Sequence, residues 1–455
     1  MTEKIGLYWF RKDLRLQQNE SLACLKKKCD RIVFIYLRKD NDDPFSSIYD
    51  LSDAEISGPK KRRFVDEALL DLQRNLRKVK QELFVLSSEQ PSLNTMPHSS
   101  DTYGVDIISH IVKVLNIDYI ASEWHCGVNE INQWQSVCQN LAKSHPELEY
   151  ISKNSGLLYE QSDFPFSIEN LPQNFSPFRK KVEKYCSVKY VEQQPDEQQS
   201  MPALPALPDD FTRLTFYRLE EQAGFEHEQG SGKLIGGETA ALSQLHYYLW
   251  ESDCISRYKE TRNGLDGWDF SSKLSAWLAH GCTSARTIDK ELKRYESQRT
   301  KNESTYWLFF ELLWREYFHW NMFVHKSRLF YFGGVQDKRP STTFSEATIT
   351  SWIQGETGYK IVDACMKQLK ETGFMSNRGR QLVASCFVHE LNQDWRYGAA
   401  YFEYQLIDFD VASNFGNWQY LAGVGADPRG HRQFNLEKQT QTYDPNMHFI
   451  DKYLR

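Results

Sequence analysis

Apolar residues recur with two different periods along the 455-residue chain, and the change of period divides it. In the first part, short β-branched and aromatic runs alternate with stretches whose apolar residues fall every three or four positions. Ile5–Phe10, residues 32–37 and Leu83–Leu86 read as buried strands. Residues 60–78 read as a helix with Phe64, Ala68, Leu72 and Leu76 on one stripe. A helix within 106–120 runs into a strand at Tyr119-Ile120-Ala121. This alternation predicts a Rossmann-like α/β domain over residues 1–142, a parallel sheet with helices on both faces. Ligands of such sheets lie beyond the strand carboxyl ends, here near Phe10-Arg11-Lys12-Asp13 and residues 123–130.

From residue 143 the pattern weakens. Residues 143–215 are rich in Pro, Ser, Gln and Asp, with Pro202, Pro205 and Pro208 near the end, and read as a long interdomain linker lying over the surface. Beyond 216 the helical period takes over. Residues 239–250, 274–280, 306–319, 361–369 and 382–391 all carry helical spacing, so 216–455 is expected to be an all-α domain.

Composition narrows the function classes. Hydrophobic residues make up 40% and charged residues 25%, which excludes wholesale disorder. No apolar run reaches the roughly 18 residues of a membrane span, and the run at Ile5–Phe10 is too short for a secretory leader, so a cytoplasmic location is expected. Nine scattered cysteines without a Cys-x-x-Cys pair argue against a disulfide framework, a zinc site or an iron–sulfur cluster, and no metal is expected. The absence of phosphate-loop, G-x-G-x-x-G and H-E-x-x-H motifs weighs against a P-loop ATPase, an ordinary NAD enzyme and a zinc protease. The net charge is −6, so nucleic acid would need a local basic surface. Aromatic content stands out at 14%, with 12 Trp, enough for a large aromatic core or for stacking platforms and electron carriers.

Four segments carry candidate chemistry. Asp269-Phe270-Ser271-Ser272-Lys273-Leu274-Ser275 opens a helix with several hydroxyls and a lysine, the make-up of a phosphate or diphosphate site; the alternative is a plain serine N-cap. Ser376-Asn377-Arg378-Gly379-Arg380-Gln381 also precedes a helix, where arginines oppose the macrodipole unless an anion or buried carboxylate pairs with them. Ile407-Asp408-Phe409-Asp410 sets two carboxylates between bulky apolar residues; Arg380 with Asp408 is the natural pair, and two unrelated surface charges are the alternative. Asn414, Gly416, Asn417 and Gly423 interleave with aromatics, which suits a backbone passing close to a flat ligand or, equally, a tight interhelical turn with a buried Trp.

Together these segments resemble the photolyase/cryptochrome family, specifically its DASH cryptochrome branch. The resemblance covers nearly the whole chain. It rests on Leu7-Tyr8-Trp9-Phe10-Arg11-Lys12-Asp13-Leu14-Arg15-Leu16, Gly236-Gly237-Glu238-Thr239-Ala240, Tyr258-Lys259-Glu260-Thr261-Arg262-Asn263-Gly264, Thr372-Gly373-Phe374-Met375-Ser376-Asn377-Arg378-Gly379-Arg380-Gln381, Asp394-Trp395-Arg396 and Gly423-Val424-Gly425-Ala426-Asp427-Pro428-Arg429. It implies a U-shaped FAD in the helical domain. Tyr258, Ser271, Ser272, Lys273, Leu274 and Ser275 would grip the ribityl-diphosphate; Glu311, Arg315, Asn377, Arg380, Asp408 and Asp410 would surround the rings; Asn414 would lie beside the central-ring nitrogen. It also makes Arg380 and Asp408 a buried ion pair.

The implied reaction is the repair of cyclobutane pyrimidine dimers by blue or near-ultraviolet light, with single-stranded DNA preferred. Excited reduced flavin passes an electron to the dimer, the ring splits, and the electron returns. The lesion must leave the base stack. Its pocket would comprise Glu311, Trp314, Asn377, Arg378, Gln381 and Tyr420, with Trp314 and Tyr420 sandwiching the bases. Such a lyase is expected to act as a monomer. Asn129-Glu130 resembles the pair with which some members hold a 5,10-methenyltetrahydrofolate antenna, although Gly127-Val128-Asn129-Glu130 departs from the branch's Ser-Glu-Glu. Members refill the flavin along three tryptophans. Trp418 and Trp395 match the inner two, the outer falls near Thr342 where no Trp stands, and Trp352 is the candidate substitute, with a core aromatic as the favoured alternative. The rival reading is a blue-light photoreceptor with a signalling role. Signalling members often carry a long C-terminal extension, so the stop at Arg455 tilts the expectation toward repair.

Overall fold

A computed structural model describes residues 3–38, 58–87, 103–191, 201–219, 234–426 and 432–455. Five parallel strands, β1 (Ile5–Phe10), β2 (Arg31–Leu37), β3 (Leu83–Leu86), β4 (Tyr119–Glu123) and β5 (Glu149–Lys153), form one sheet in the order β3-β2-β1-β4-β5. The register sets Leu7 between Val33 and Ile120. Alternate residues enter two separate cores: Tyr8, Phe10, Ile32 and Phe34 on one face, Leu7, Trp9, Val33 and Ile35 on the other. A parallel sheet buried on both faces explains why these strands read as continuous apolar runs.

The helix Pro59–Lys78 starts with proline at its first turn and buries Phe64, Ala68, Leu72 and Leu76, the stripe seen in the sequence. Helix Glu20–Lys28, capped by Asn19, packs with it on the same face; Tyr103–Leu115 and Val128–Ser144 cover the opposite face. The chain crosses between sheet halves after β3, so β1 and β4 flank a switch point where their carboxyl ends open a crevice.

The stretch read as a linker holds more structure than its composition suggests. It supplies β5 at the sheet edge, which carries the α/β sheet past residue 142 to Lys153. It then forms the helix Phe175–Tyr185, which buries Phe175, Phe178 and Val182. Later, the Ile32 amide donates to the Ala203 carbonyl (3.1 Å), and the Ser87 amide to that of Thr215 (3.2 Å). Among the described residues of this stretch, polar composition goes with a one-sided, surface-facing path.

The rest is helical, built around the helix Glu303–His325. Asn302 caps it, accepting from the amides of Ser304 and Thr305. Helix Val411–Leu421 lies against it through Gly416, where a Cβ would fall 2.3 Å from Phe318. The predicted helices at 239–250 and 382–391 both end in a wider π turn, Tyr247–Glu251 and Cys386–Glu390. The two parts are pinned together by Glu238, whose carboxylate accepts from the Leu16 and Gln17 amides, each at 2.9 Å. Among the described residues no helix is long and apolar enough to cross a membrane, and no cluster of ligating side chains could hold a metal ion.

Candidate functional site

The segment Ser376–Gln381 begins the helix Asn377–Ser385, with Ser376 as its cap: the Ser376 hydroxyl accepts from the Gly379 amide at 3.1 Å. The two arginines of this first turn leave in different directions. Arg380 donates from Nη2 to both oxygens of Asp408, at 2.9 and 2.7 Å, and from Nε to the Met375 carbonyl at 2.8 Å. Asp408 is 2% exposed and Arg380 26%. The carboxylate answers the charge that the helix terminus opposes, so the pair expected from the sequence forms. Arg378 instead donates to Asn263 Oδ1 at 3.0 Å and stacks on Tyr443, and its Nε finds no partner.

Lys273 and Arg380 both approach Phe374; the Lys273 ammonium sits 4.9 Å from the ring centre and the Arg380 guanidinium 5.4 Å from it. Burial draws the Lys273 ammonium down to about 8, against the pull of Asp266 and with the help of Arg380. It makes no ion pair among the described residues. The side-chain hydroxyls of Ser271, Ser272 and Ser275 also bond no protein group among them. The helix begins only at Ser275, with Leu274 as its cap residue and no side-chain cap bond, so the plain serine N-cap is ruled out. A half-buried cation without an anion among the described residues, beside three unengaged hydroxyls, has the donor set a diphosphate requires. Tyr258 is buried nearby and meets Tyr248 edge to face at 6.3 Å; the Tyr248 hydroxyl lacks a partner.

A polar stripe runs down the long helix at four-residue spacing: Glu311, Arg315, His319. Arg315 donates to the Gly156 carbonyl at 3.0 Å. His319 meets the Arg315 carbonyl through Nδ1 (2.8 Å) and Asp410 through Nε2 (3.0 Å). Asp410 caps the helix Val411–Leu421, accepting from the Ser413 amide at 2.8 Å. Burial pushes its carboxyl up, but His319, Arg315 and Ser413 outweigh burial and hold it well below the ordinary range. Asn414, one turn on, donates to the Ala399 carbonyl at 3.0 Å. The sequence motifs do not mark His319; its spacing from Glu311 and Arg315 is the signal that could have found it.

Glu311 accepts from Arg262 and, at 3.2 Å, from the Trp307 indole. Burial pushes its carboxyl up, and the Arg262 charge opposes the shift. Arg262 is therefore a further site residue, one that stands in the Tyr258–Gly264 motif without any local feature to mark it. Trp314 lies flat on Phe175, rings 3.8 Å apart at 12°. It meets Tyr420 edge to face, 5.8 Å apart at 80°. Two rings in that relation cannot sandwich a base, so the expected sandwich is not the arrangement present. Tyr420 in turn carries the Arg432 guanidinium 4.3 Å over its ring. Asn377 is exposed and Gln381 half-buried on the same helix turn. Asp427, Pro428 and Arg429 lie outside the described residues.

At the sheet crevice, Arg11 ties the strand ends together, donating to Ser122 Oγ (2.8 Å) and to the carbonyls of Glu123 (2.7 Å) and Glu130 (2.9 Å). Asn129 is exposed; Glu130 lies 3.7 Å from His125. Lys12, Trp124, His125, Arg315, His319 and Asp410 line a common cleft between the two parts.

The tryptophans decide between the two readings of Trp352. Trp418 and Trp395 are buried, Trp395 donating to the Phe332 carbonyl at 3.0 Å. Trp352 is 0% exposed, donates to the Val383 carbonyl and meets Trp418 at 6.2 Å. It is a core aromatic and cannot end a path at the surface. The aromatic that reaches solvent near Thr342 is Phe344, 56% exposed, against Tyr397 at 5.0 Å.

Known proteins share this arrangement. The DNA photolyase family model matches residues 6–203, and the model for the FAD binding domain of DNA photolyase matches residues 307–455. The chain is 43% identical to Cryptochrome DASH of Vibrio parahaemolyticus over 453 residues, covering 100% of this chain and 94% of that protein. It is 42% identical to Cryptochrome DASH of Idiomarina loihiensis, with 99% and 92% covered. The crystal structure of the Synechocystis cryptochrome superposes with a TM-score of 0.85 at 36% identity, covering 100% of this chain and 89% of that one. Fold, site and full-length identity agree that the chain belongs to the photolyase/cryptochrome family, within its DASH cryptochromes, and that its cofactor is FAD.

Proposed function

We propose that the chain is a DNA lyase that uses blue or near-ultraviolet light to split cyclobutane pyrimidine dimers, preferring single-stranded DNA. The observation that carries this reading is the helix turn Asn377–Gln381: one arginine closes the Asp408 pair beside the unpaired Lys273, and the other reaches Asn263 beside the Arg262–Glu311 pair. A cofactor cradle and an aromatic, carboxylate-bearing pocket thus share one element.

In this reading Lys273, Ser271, Ser272 and Ser275, with Tyr258 and Leu274, hold the diphosphate end of FAD. Arg380, Asp408, Arg315, Asp410 and Asn377 would hold its rings, and the Asn414 amide would be the group to stabilise the reduced ring. Reduced FAD, when bound, supplies the photoexcited electron and takes it back after ring splitting. Asp408 fixes the Arg380 guanidinium, whose positive charge favours a reduced, electron-rich ring. Glu311, held by Arg262 and the Trp307 indole, can accept from a pyrimidine ring N–H. Trp314, packed on Phe175 and beside Phe318, lines the pocket for a flipped base, and Tyr420 swings off its edge contact to admit it. Arg378 and Gln381 bound the mouth. Trp418 and Trp395 relay electrons to the flavin. Asn129 and Glu130, the latter beside the cleft residue His125, hold a folate antenna.

The net charge of −6 supports the single-strand preference, because it weakens attraction to a duplex, and flipping a base from a duplex costs a few kcal/mol that a single strand avoids. The test is illumination of the reduced protein with dimer-containing single-stranded and duplex oligonucleotides at equal concentration. Faster repair of the single strand is expected. Equal rates refute the preference, and no repair of either supports a photoreceptor.

A further inference from the structure

An unbroken run of aromatic rings leads from the candidate pocket to the surface. Trp314 lies on Phe175 at 3.8 Å, Phe175 meets Phe310 edge to face at 5.2 Å, and Phe310 meets Trp307 at 4.9 Å and Tyr306 at 6.3 Å. Residues 306, 310 and 314 recur every four positions and so share one face of the long helix. Tyr306, at the outer end, is 38% exposed.

Cations hover over this run. Lys259 and Arg262 lie 5.3 and 5.6 Å from the Trp307 ring centre, and Arg179 lies 5.4 Å from that of Phe310. Each has a carboxylate of its own: Glu303 for Lys259, Glu311 for Arg262, Glu183 for Arg179. The three positive charges are thus matched by three negative ones. A balanced, ring-rich face suits a duplex poorly, since a duplex presents phosphates outward and hides its bases. It suits a single strand, whose unpaired bases stack on aromatic side chains while nearby arginines and lysines meet the backbone.

We infer that this face, Tyr306 and Phe310 with Trp307, is a stacking track for the undamaged bases of a single-stranded nucleic acid next to the lesion. The inference rests on the repair reading only for what occupies the inner end of the track; the track itself binds ordinary single strands. Stacking, rather than charge, supplies the affinity.

The test uses the flavin-loaded full chain and the variants Tyr306→Leu, Phe310→Leu and the double substitution, which keep apolar bulk but remove the ring faces. Trp307 is left in place because its indole holds Glu311. Binding of a labelled oligothymidylate, single-stranded and without damage, is followed by fluorescence anisotropy at several salt concentrations, and thermal melting confirms that each variant is folded. Single-strand affinity should fall about tenfold in the double variant, with an unchanged salt slope. Cleavage of an isolated thymine dimer dinucleotide, which is too short to reach the track, should match the parent. Unchanged single-strand affinity overturns the inference and leaves the face to a protein partner. Weaker binding accompanied by a lower salt slope also overturns it, because the substitutions would then have weakened the grip on phosphates rather than on bases. Should the parent cleave no dimer while the double variant still loses single-strand affinity, the track stands and the repair reading falls.

Discussion

Removing Asp408 tests the core of the site. Asp408→Ala leaves the Arg380 guanidinium without its two charge-assisted bonds, keeping only the Met375 carbonyl at Nε. Breaking one half of a buried ion pair costs about 3–5 kcal/mol. Asp408 is 2% exposed but Arg380 26%, so water partly compensates the stranded cation and the lower end, about 3 kcal/mol, applies. For a helical domain of this size that corresponds to a fall of about 6–12 °C in Tm. The melt should be followed by circular dichroism, and flavin content by the visible absorbance of the purified protein. Both should drop. The double variant Arg380→Met/Asp408→Ala sharpens the test, because removing both charges relieves the stranded cation, and it should melt above Asp408→Ala while still losing flavin. If Asp408→Ala melts within a degree or two of the parent and keeps a full flavin complement, the pair is not the organising contact of the pocket.

Further outcomes follow from the same geometry. Asp410 has a folded pKa well below its unfolded value of about 3.9, so its contribution to stability is present above that value and is lost as pH falls through the folded pKa; Asp410→Asn should be less stable than the parent near neutral pH, and the gap should close in urea titrations carried toward pH 2. Glu238 shows the opposite sign. Burial pushes it up to about 7 against two backbone amides, so its protonated form favours the folded state and stability falls as pH rises from about 4 through 7; Glu238→Gln should flatten that segment of the curve. Trp418→Phe should abolish light-driven flavin reduction by an external thiol, whereas Trp352→Phe should lower Tm and leave that rate near the parent's, as read by flavin absorbance under blue light. Glu130→Ala should purify with flavin and, after incubation with 5,10-methenyltetrahydrofolate, lack the near-ultraviolet band the reconstituted parent acquires.

How far the sequence can be read depends on where the deciding interactions lie. Strands such as Ile5–Phe10 and Leu83–Leu86 are legible to the residue because both faces are buried, and the chain therefore spells them as unbroken apolar runs. β5 is not, since Glu149 and Lys153 are exposed at the sheet edge and leave Ile151 as the one buried position. Arg380 and Asp408 can be paired in advance because each is anomalous alone, an arginine at a helix start and an acid in an apolar run. Arg262 with Glu311 and His319 with Asp410 cannot, because Arg262 and His319 are unremarkable where they stand in the chain and nothing local names their partners. Trp352 shows the limit of spacing arguments. Its place in the chain allows a surface terminus, but Phe387, Tyr401 and Phe402 enclose it.

The central claim, light-driven dimer splitting at the Arg380–Asp408 site, is tested most directly by counting turnovers. A single-stranded oligonucleotide with one thymine dimer, in large excess over reduced, flavin-loaded protein, should regain intact thymines under blue light, many per protein molecule, as measured by chromatography of the digested strand. Matched samples kept dark should show none. Illuminated samples that regain no thymine, or dark samples that regain as much as illuminated ones, contradict the account.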